Sequence, residues 1–151
     1  MNPEFELLCQ GFKYDLWANN LWWAYIEEKG LGEPERQIFQ HSLAAQDLWY
    51  QRCLGGTPTA LPEFEVTTAK MAELHEQWMH VLETRSDNPL IHYRGLDGTP
   101  FHMPVGKIAR HVINHGTYHR GELRGLCRGR EANDFPGTDL AIFYLTPGLA
   151  D

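Results

Sequence analysis

Apolar residues recur at steps of three and four residues in four separate stretches of the chain. This spacing is typical of helices that bury one face. The predicted helices cover about residues 2–29, 34–54, 67–85 and 105–128. Gly30 and Gly32 end the first helix, and Gly55 with Gly56 ends the second, because glycine is a frequent helix breaker. On the second helix one face carries Ile38, His41, Ala45, Leu48 and Arg52. We therefore expect four long helices.

The spacing of apolar residues changes between the third and fourth helices, where the helical pattern is interrupted. Two short extended runs, Ile91–Arg94 and Phe101–Met103, flank a connection that contains the pair Asp97-Gly98. An Asp-Gly pair between such runs predicts a β-hairpin. The tail, Glu131 to Asp151, is predicted to be an irregular strap with one apolar run, Leu140–Leu145. The expected fold class is therefore all-α, with a small β-hairpin between helices 3 and 4.

Length and charge narrow the classes of protein further. The chain has 151 residues and shows no repeat or linker, so we expect a single domain over residues 1–151. A net charge of -7 argues against binding to nucleic acid. No apolar run approaches the roughly 18 residues of a membrane span, and no signal peptide is recognisable. Three widely spaced cysteines are typical of reduced thiols in a cytoplasmic protein.

Three of the eight histidines fall on predicted core faces. His115 and His119 lie one turn apart on the apolar stripe of the fourth helix, and His41 lies on the stripe of the second. Three buried imidazoles without partners would each cost about 1–3 kcal/mol of desolvation. A divalent ion bound by all three would remove that cost. Taken singly, each of them is also consistent with a hydrogen-bonded core histidine.

Three further residues of the fourth helix are candidates for supporting roles. His111 precedes His115 by four residues and so extends the series of histidines at four-residue steps. It points about 80° away from His119, however, so we expect it to support the ligands or the fold rather than bind the ion. Arg120 is predicted either to border the pocket or to form an ion pair that holds the helix, with a solvated surface pair as the alternative. Glu122 is a candidate for the pocket or for a contact behind the ligands.

The residues that carry a family resemblance lie in all parts of the chain. They are Tyr14, Trp17, Ala18 and Asn19 in the first helix, His41 and Trp49 in the second, Gly98 in the hairpin, the segment His115–Glu122, and Asp139–Leu145 in the tail. Over most of its length the chain thus resembles the DinB/YfiT-like family of metal-dependent proteins. The resemblance implies an up-down-down-up four-helix bundle, a divalent metal held by three histidines, and frequent homodimers. Its ligand positions match His41, His115 and His119. Family members commonly have Gln where this chain has Glu122, which changes the local charge.

The chemistry expected of such a site is less specific than the site itself. Imidazole ligands suit several transition metals, and we favour zinc or nickel. Three neutral ligands leave an open position, which is typical of catalytic sites. The first hypothesis is a metal-dependent hydrolase or thiol transferase acting on a small molecule, a low-molecular-weight thiol being one candidate, with a thiol-dependent isomerase as its variant. A metal-binding or sensing protein without turnover and a structural dimer with core histidines are the alternatives.

Overall fold

Five helices and one antiparallel hairpin make up the part of the chain that the computed structural model describes, residues 1–129 and 134–151. The helices are α1 (Pro3–Glu28), α2 (Glu35–Cys53), α3 (Thr68–Thr84), α4 (Val105–Cys127) and α5 (Leu140–Leu145). The strands are β1 (Leu90–Arg94) and β2 (Pro100–Pro104), between α3 and α4. The prediction of a mainly helical protein with a small hairpin is confirmed.

Helices α1 and α3 begin at residues whose side chains accept hydrogen bonds from the first free N–H groups. The Asn2 side chain accepts a hydrogen bond of 2.9 Å from the backbone N of Phe5, and the Thr67 hydroxyl accepts one of 3.0 Å from Lys70. After α1 the chain turns at Gly30, whose φ of 59° is readily adopted only by glycine. These local signals explain why the long helices start and end within one or two residues of the predicted positions.

The hairpin pairs five residues of each strand in register. His92 lies opposite His102, and the pair Arg94–Pro100 closes the ladder at the turn. Gly98 adopts a φ of 88°, as a tight turn requires. Pro100 was expected in the connection but begins β2. A proline is tolerated there because it is the first residue of a strand in a two-stranded sheet, where both strands are edges.

The core is aromatic and centres on α1. Phe12 stacks on Trp78 of α3 at a centroid distance of 4.9 Å, and Trp22 is 1% exposed. Near the C-terminal end of α4 the buried face moves around the helix. Leu126 is 41% exposed there, whereas Cys127 is buried. A period of 3.6 residues accounts for this drift, since steps of three and four only approximate it.

The tail differs from the prediction of an irregular strap. Residues 140–145 form the short helix α5, whose Phe143 is buried against Tyr14 at a centroid distance of 5.8 Å. The predicted strap began at Glu131, and residues 131–133 lie outside the described part of the chain. Among the described helices, none combines the length and the apolar character that crossing a membrane requires.

Candidate metal centre

The antiparallel packing of α2 and α4 brings the histidines together. His41, in the second turn of α2, contacts the ring of His119 at a centroid distance of 4.9 Å. Two turns further along α2, Trp49 contacts His111 at 5.2 Å. Because the residue number rises along α2 while it falls along α4, the two helices run in opposite directions. The face between them is therefore formed by His41 and Trp49 on α2 and by His119 and His111 on α4.

Three imidazoles on this face converge. His41, His115 and His119 each offer a ring nitrogen, and these nitrogens all lie within 4.8 Å of one another. The Nε2 atoms of His115 and His119 are 3.1 Å apart. Two nitrogens bound at 2.0–2.1 Å to a tetrahedral ion would be about 3.3 Å apart. The separation between His115 and His119 is thus close to the one that a shared divalent ion requires, and three imidazoles are a donor set that fits such an ion.

A carboxylate orients one of these rings. Nδ1 of His119 donates a hydrogen bond of 3.0 Å to Oε1 of Glu122, one turn later on α4. With the proton on Nδ1, the Nε2 lone pair of His119 faces His115. A carboxylate behind a histidine is a common way to fix the tautomer and orientation of a metal ligand. Glu122 therefore acts on the cluster through His119.

The environment favours the uncharged form of two of the three rings, those of His115 and His41. Burial, together with the neighbouring His119, His111 and His41, lowers the pKa of His115 to about 4. Burial and the proximity of His119 also lower the pKa of His41, against the opposing effect of Glu122. Neutral imidazoles have the free lone pair that a metal ligand needs. The rings are nevertheless partly accessible to solvent, whereas the sequence pattern predicted full burial.

His111 stands beside the cluster and outside it. Its ring is 5.6 Å from that of His115, and it packs against Trp49 of α2. Its nitrogens are not part of the three-donor group. This placement agrees with the angular drift along α4 that set His111 apart from His115 and His119 in the sequence.

Arg120 points to the opposite side of α4 from the cluster. Its Nη1 donates to Oδ1 of Asp15 at 2.6 Å and to Oδ1 of Asn19 at 2.8 Å, both on α1. All three side chains are at most 5% exposed. Of the predicted roles, the structure places Arg120 in an ion pair that holds α4 against α1. Asp15 and Asn19 were not predicted as its partners, although polar residues on the apolar stripe of α1 were the available signal.

A groove of about 1040 Å³ lies between α1, α4 and the tail. His111 and Arg120 line it, but the three converging histidines do not. It follows the α1 side of α4, whereas the histidine cluster faces α2. A ligand in this groove would therefore not reach the cluster, and the volume of the groove says nothing about the metal centre.

A second group of residues on the α2 side was missed by sequence reasoning. The Arg52 guanidinium carbon lies 4.4 Å from the centre of the Trp49 ring and 5.1 Å from that of Tyr93. The position of Arg52 on the same helix face as His41 was visible in the sequence. The contribution of Tyr93 was not, because it comes from the hairpin and depends on how that hairpin packs against α2.

Comparison of the chain with models of known protein families, with curated proteins and with solved structures finds no match.

Proposed function

We propose that this protein binds one divalent metal ion through His41, His115 and His119. The observation that carries this proposal is the convergence of three ring nitrogens from two antiparallel helices to within 4.8 Å of one another. Zinc and nickel are the ions we favour, because both accept imidazole ligands. The Glu122 contact behind His119 supports the same assignment.

We further propose that α1 to α4 form an up-down-down-up four-helix bundle of the DinB/YfiT-like type. The antiparallel packing of α2 and α4, and the packing of α1 on both α3 and α4, support this arrangement. In this scheme the hairpin and α5 are additions to the bundle. The family resemblance rests on the motifs around His41 and His115–Glu122.

The proposed activity is that of a metal-dependent hydrolase or thiol transferase with a small-molecule substrate. When bound, the ion would supply Lewis acidity toward a water or thiol that reaches it. The chain's own residues provide the rest: Glu122 orients His119, and the partial exposure of the imidazoles gives a small molecule access to them. A metal-binding or sensing protein without turnover is the second candidate, since no general base is assigned.

The expected setting is the cytoplasm, and the expected assembly is a homodimer. Cys9, Cys53 and Cys127 are free thiols, which suits a reducing compartment. The dimer rests on the family resemblance and on the abundance of tryptophan. Light scattering at micromolar concentration measures it directly, and a monomeric mass would refute it.

Elemental analysis of purified and zinc-reloaded protein tests the metal site. We expect about one ion per chain in the wild type, and loss of at least 90% of it in His41→Ala, His115→Ala and His119→Ala. His80→Ala is the matched control, because His80 is exposed on α3 and lies outside the cluster. His111→Ala is expected to retain the ion. Wild-type stoichiometry in the His119→Ala variant would refute the assignment.

Activity profiling separates the two candidate functions. The zinc-loaded and nickel-loaded proteins are assayed against ester and amide substrates and against model thiols with small electrophiles. Turnover in the wild type that disappears in His115→Ala supports the enzyme. A metal-replete protein that is inert in both panels favours the sensing protein.

A further inference from the structure

The Nε–H group of the Arg52 guanidinium is buried without a hydrogen-bond acceptor. Arg52 is 5% exposed, and its Nε has no hydrogen-bond partner. Within residues 1–129 and 134–151, no carboxylate lies within ion-pair distance of it. Arginine stays charged in proteins, and a buried N–H group without an acceptor costs free energy. Such a group in a folded protein indicates a missing partner, either water or an anion.

Two aromatic rings contact the guanidinium without satisfying its N–H groups. The rings are those of Trp49 and Tyr93, which also touch each other at a centroid distance of 5.0 Å. A ring stabilises the cation through its face and accepts no ordinary hydrogen bond from the N–H edge. Burial lowers the pKa of Arg52, and only Tyr93 opposes this. Arg52 lies in the last turn of α2, where the helix dipole favours a cation. The dipole lowers the energy of the charge but does not accept a hydrogen bond from Nε.

Arg52 faces the same side of α2 as the histidine cluster. It follows His41 by 11 residues, which places it roughly 16 Å along the helix axis and within about 20° of the same direction. Side chains of a helix tilt toward its N-terminus, so the Arg52 side chain leans toward the cluster. His111 and Trp49 lie along this face between them: the His111 ring is 5.6 Å from that of His115 and 5.2 Å from that of Trp49.

We propose that Arg52 binds the anionic group, a carboxylate or a phosphate, of the small molecule whose other end lies at the three-histidine cluster. This inference rests on the proposed function, because it assigns the substrate class of that site. The planar N–H edge of arginine matches the two oxygens of either anion. The chain has a net charge of -7, and the cation of Arg52 lies on the same helix face as the cluster, about three turns away, so the ligand that fits both is an elongated anion.

Inorganic phosphate tests the anion site in metal-free protein. Thermal unfolding is followed at increasing phosphate, with a chelator present and with ionic strength held constant by chloride. We expect the wild-type midpoint to rise saturably, and Arg52→Gln to bind phosphate at least tenfold more weakly. Arg128→Gln is the matched control, because it removes the same charge at an exposed position. No phosphate-specific rise in the wild type, or equal rises in wild type and Arg52→Gln, overturns the inference.

Arg52→Lys keeps the test decisive if Arg52→Gln does not fold. Lysine retains the charge and the packing stem but lacks the planar edge, so phosphate affinity should fall severalfold. An affinity within twofold of wild type would show that a general positive charge suffices, and would overturn the assignment of Arg52 as a shaped anion site.

The link between Arg52 and the cluster is tested with paired thiols in zinc-loaded protein. Isothermal titration compares 8-mercaptooctanoate with 8-mercaptooctan-1-ol, which differ at the end remote from sulfur. We expect the wild type to prefer the carboxylate at least tenfold and Arg52→Gln to show no preference. A preference that survives in Arg52→Gln, or none in the wild type, overturns the link. If the wild type binds no zinc, the proposed function fails while the phosphate experiment still decides the anion site.

Discussion

At the scale of single residues, the carboxylate of Glu122 orients one ring of the histidine cluster. A cluster of three neutral rings could be held together by hydrogen bonds between them. The contact with Glu122 instead commits the Nδ1 proton of His119 outward and leaves its Nε2 facing His115. In this orientation the Nε2 lone pair of His119 is available to a metal ion.

Removing the carboxylate should weaken metal binding without abolishing it. We expect Glu122→Ala to lower zinc affinity about 10–100-fold, because contacts behind a ligand contribute on that scale. Glu122→Gln should lower the zinc affinity less, since its amide oxygen can still accept the hydrogen bond from Nδ1 of His119. Competition with a chromophoric chelator measures both, and Glu83→Ala on the exposed side of α3 serves as the control. Unchanged affinity in Glu122→Ala would exclude a role for this contact.

The three cysteines should differ in reactivity according to burial. Burial raises the pKa of all three thiols, that of Cys53 to about 11, but only Cys53 and Cys127 are buried from solvent, whereas Cys9 is half-buried. Only the thiolate reacts, so raised pKa values and burial together protect these two thiols at pH 8. We expect Ellman's reagent to modify one thiol per native chain, Cys9, and all three in urea. Cys9→Ser should reduce the native count to zero, and a native count of two would contradict this account.

At the scale of elements, the sequence predicted the long helices well and their packing poorly. Helix ends carry local signals, such as the Asn2 and Thr67 caps, so their positions could be predicted. The run Leu140–Leu145 could not be assigned because six apolar residues have no period that separates strand from helix. The proximity of His41 to His115 depends on α2 packing antiparallel to α4, which no local pattern specifies.

The contact between α1 and α4 depends on a close approach at Gly116. A Cβ atom at this position would overlap the Asp15 carboxylate, so glycine leaves room for the Asp15–Arg120 pair. Both partners are 5% exposed, and Asn19 accepts a second hydrogen bond from Arg120. The pair orients the helix that carries His115 and His119.

Breaking this pair on one side should destabilise the protein strongly. Arg120→Met leaves Asp15 buried and uncompensated, which we expect to cost about 3–5 kcal/mol in the free energy of unfolding. The double variant Asp15→Asn with Arg120→Met should cost less than Arg120→Met alone, because no charge remains buried. Urea unfolding measures each. Lys29→Met, which breaks the exposed pair with Asp134, is the control and should cost at most about 1 kcal/mol. Equal losses in Arg120→Met and Lys29→Met would contradict the account.

At the scale of the whole molecule, α4 connects two polar systems through one helix. Its α1 side carries the structural pair of Arg120, and its α2 side carries the histidines that we propose as ligands. The two systems are adjacent in sequence at His119 and Arg120, yet the first side chain contacts α2 and the second contacts α1. An ion on the α2 side would therefore bind a helix that is already held in place, and it would bind only the folded chain because His41 belongs to another helix.

Such binding should raise the stability of the whole protein. An ion at 100 times its dissociation constant stabilises the folded state by about 2.7 kcal/mol, which for a chain of this size raises the midpoint of thermal unfolding by about 5–10 °C. We expect this rise with zinc, its reversal by a chelator, and no rise with magnesium, which prefers oxygen ligands. The double variant His41→Ala with His119→Ala should show no rise. An equal rise in that variant would place the ion elsewhere, and the exposed pair His92 and His102 on the hairpin, with ring centroids 5.7 Å apart, would then be the site to remove next.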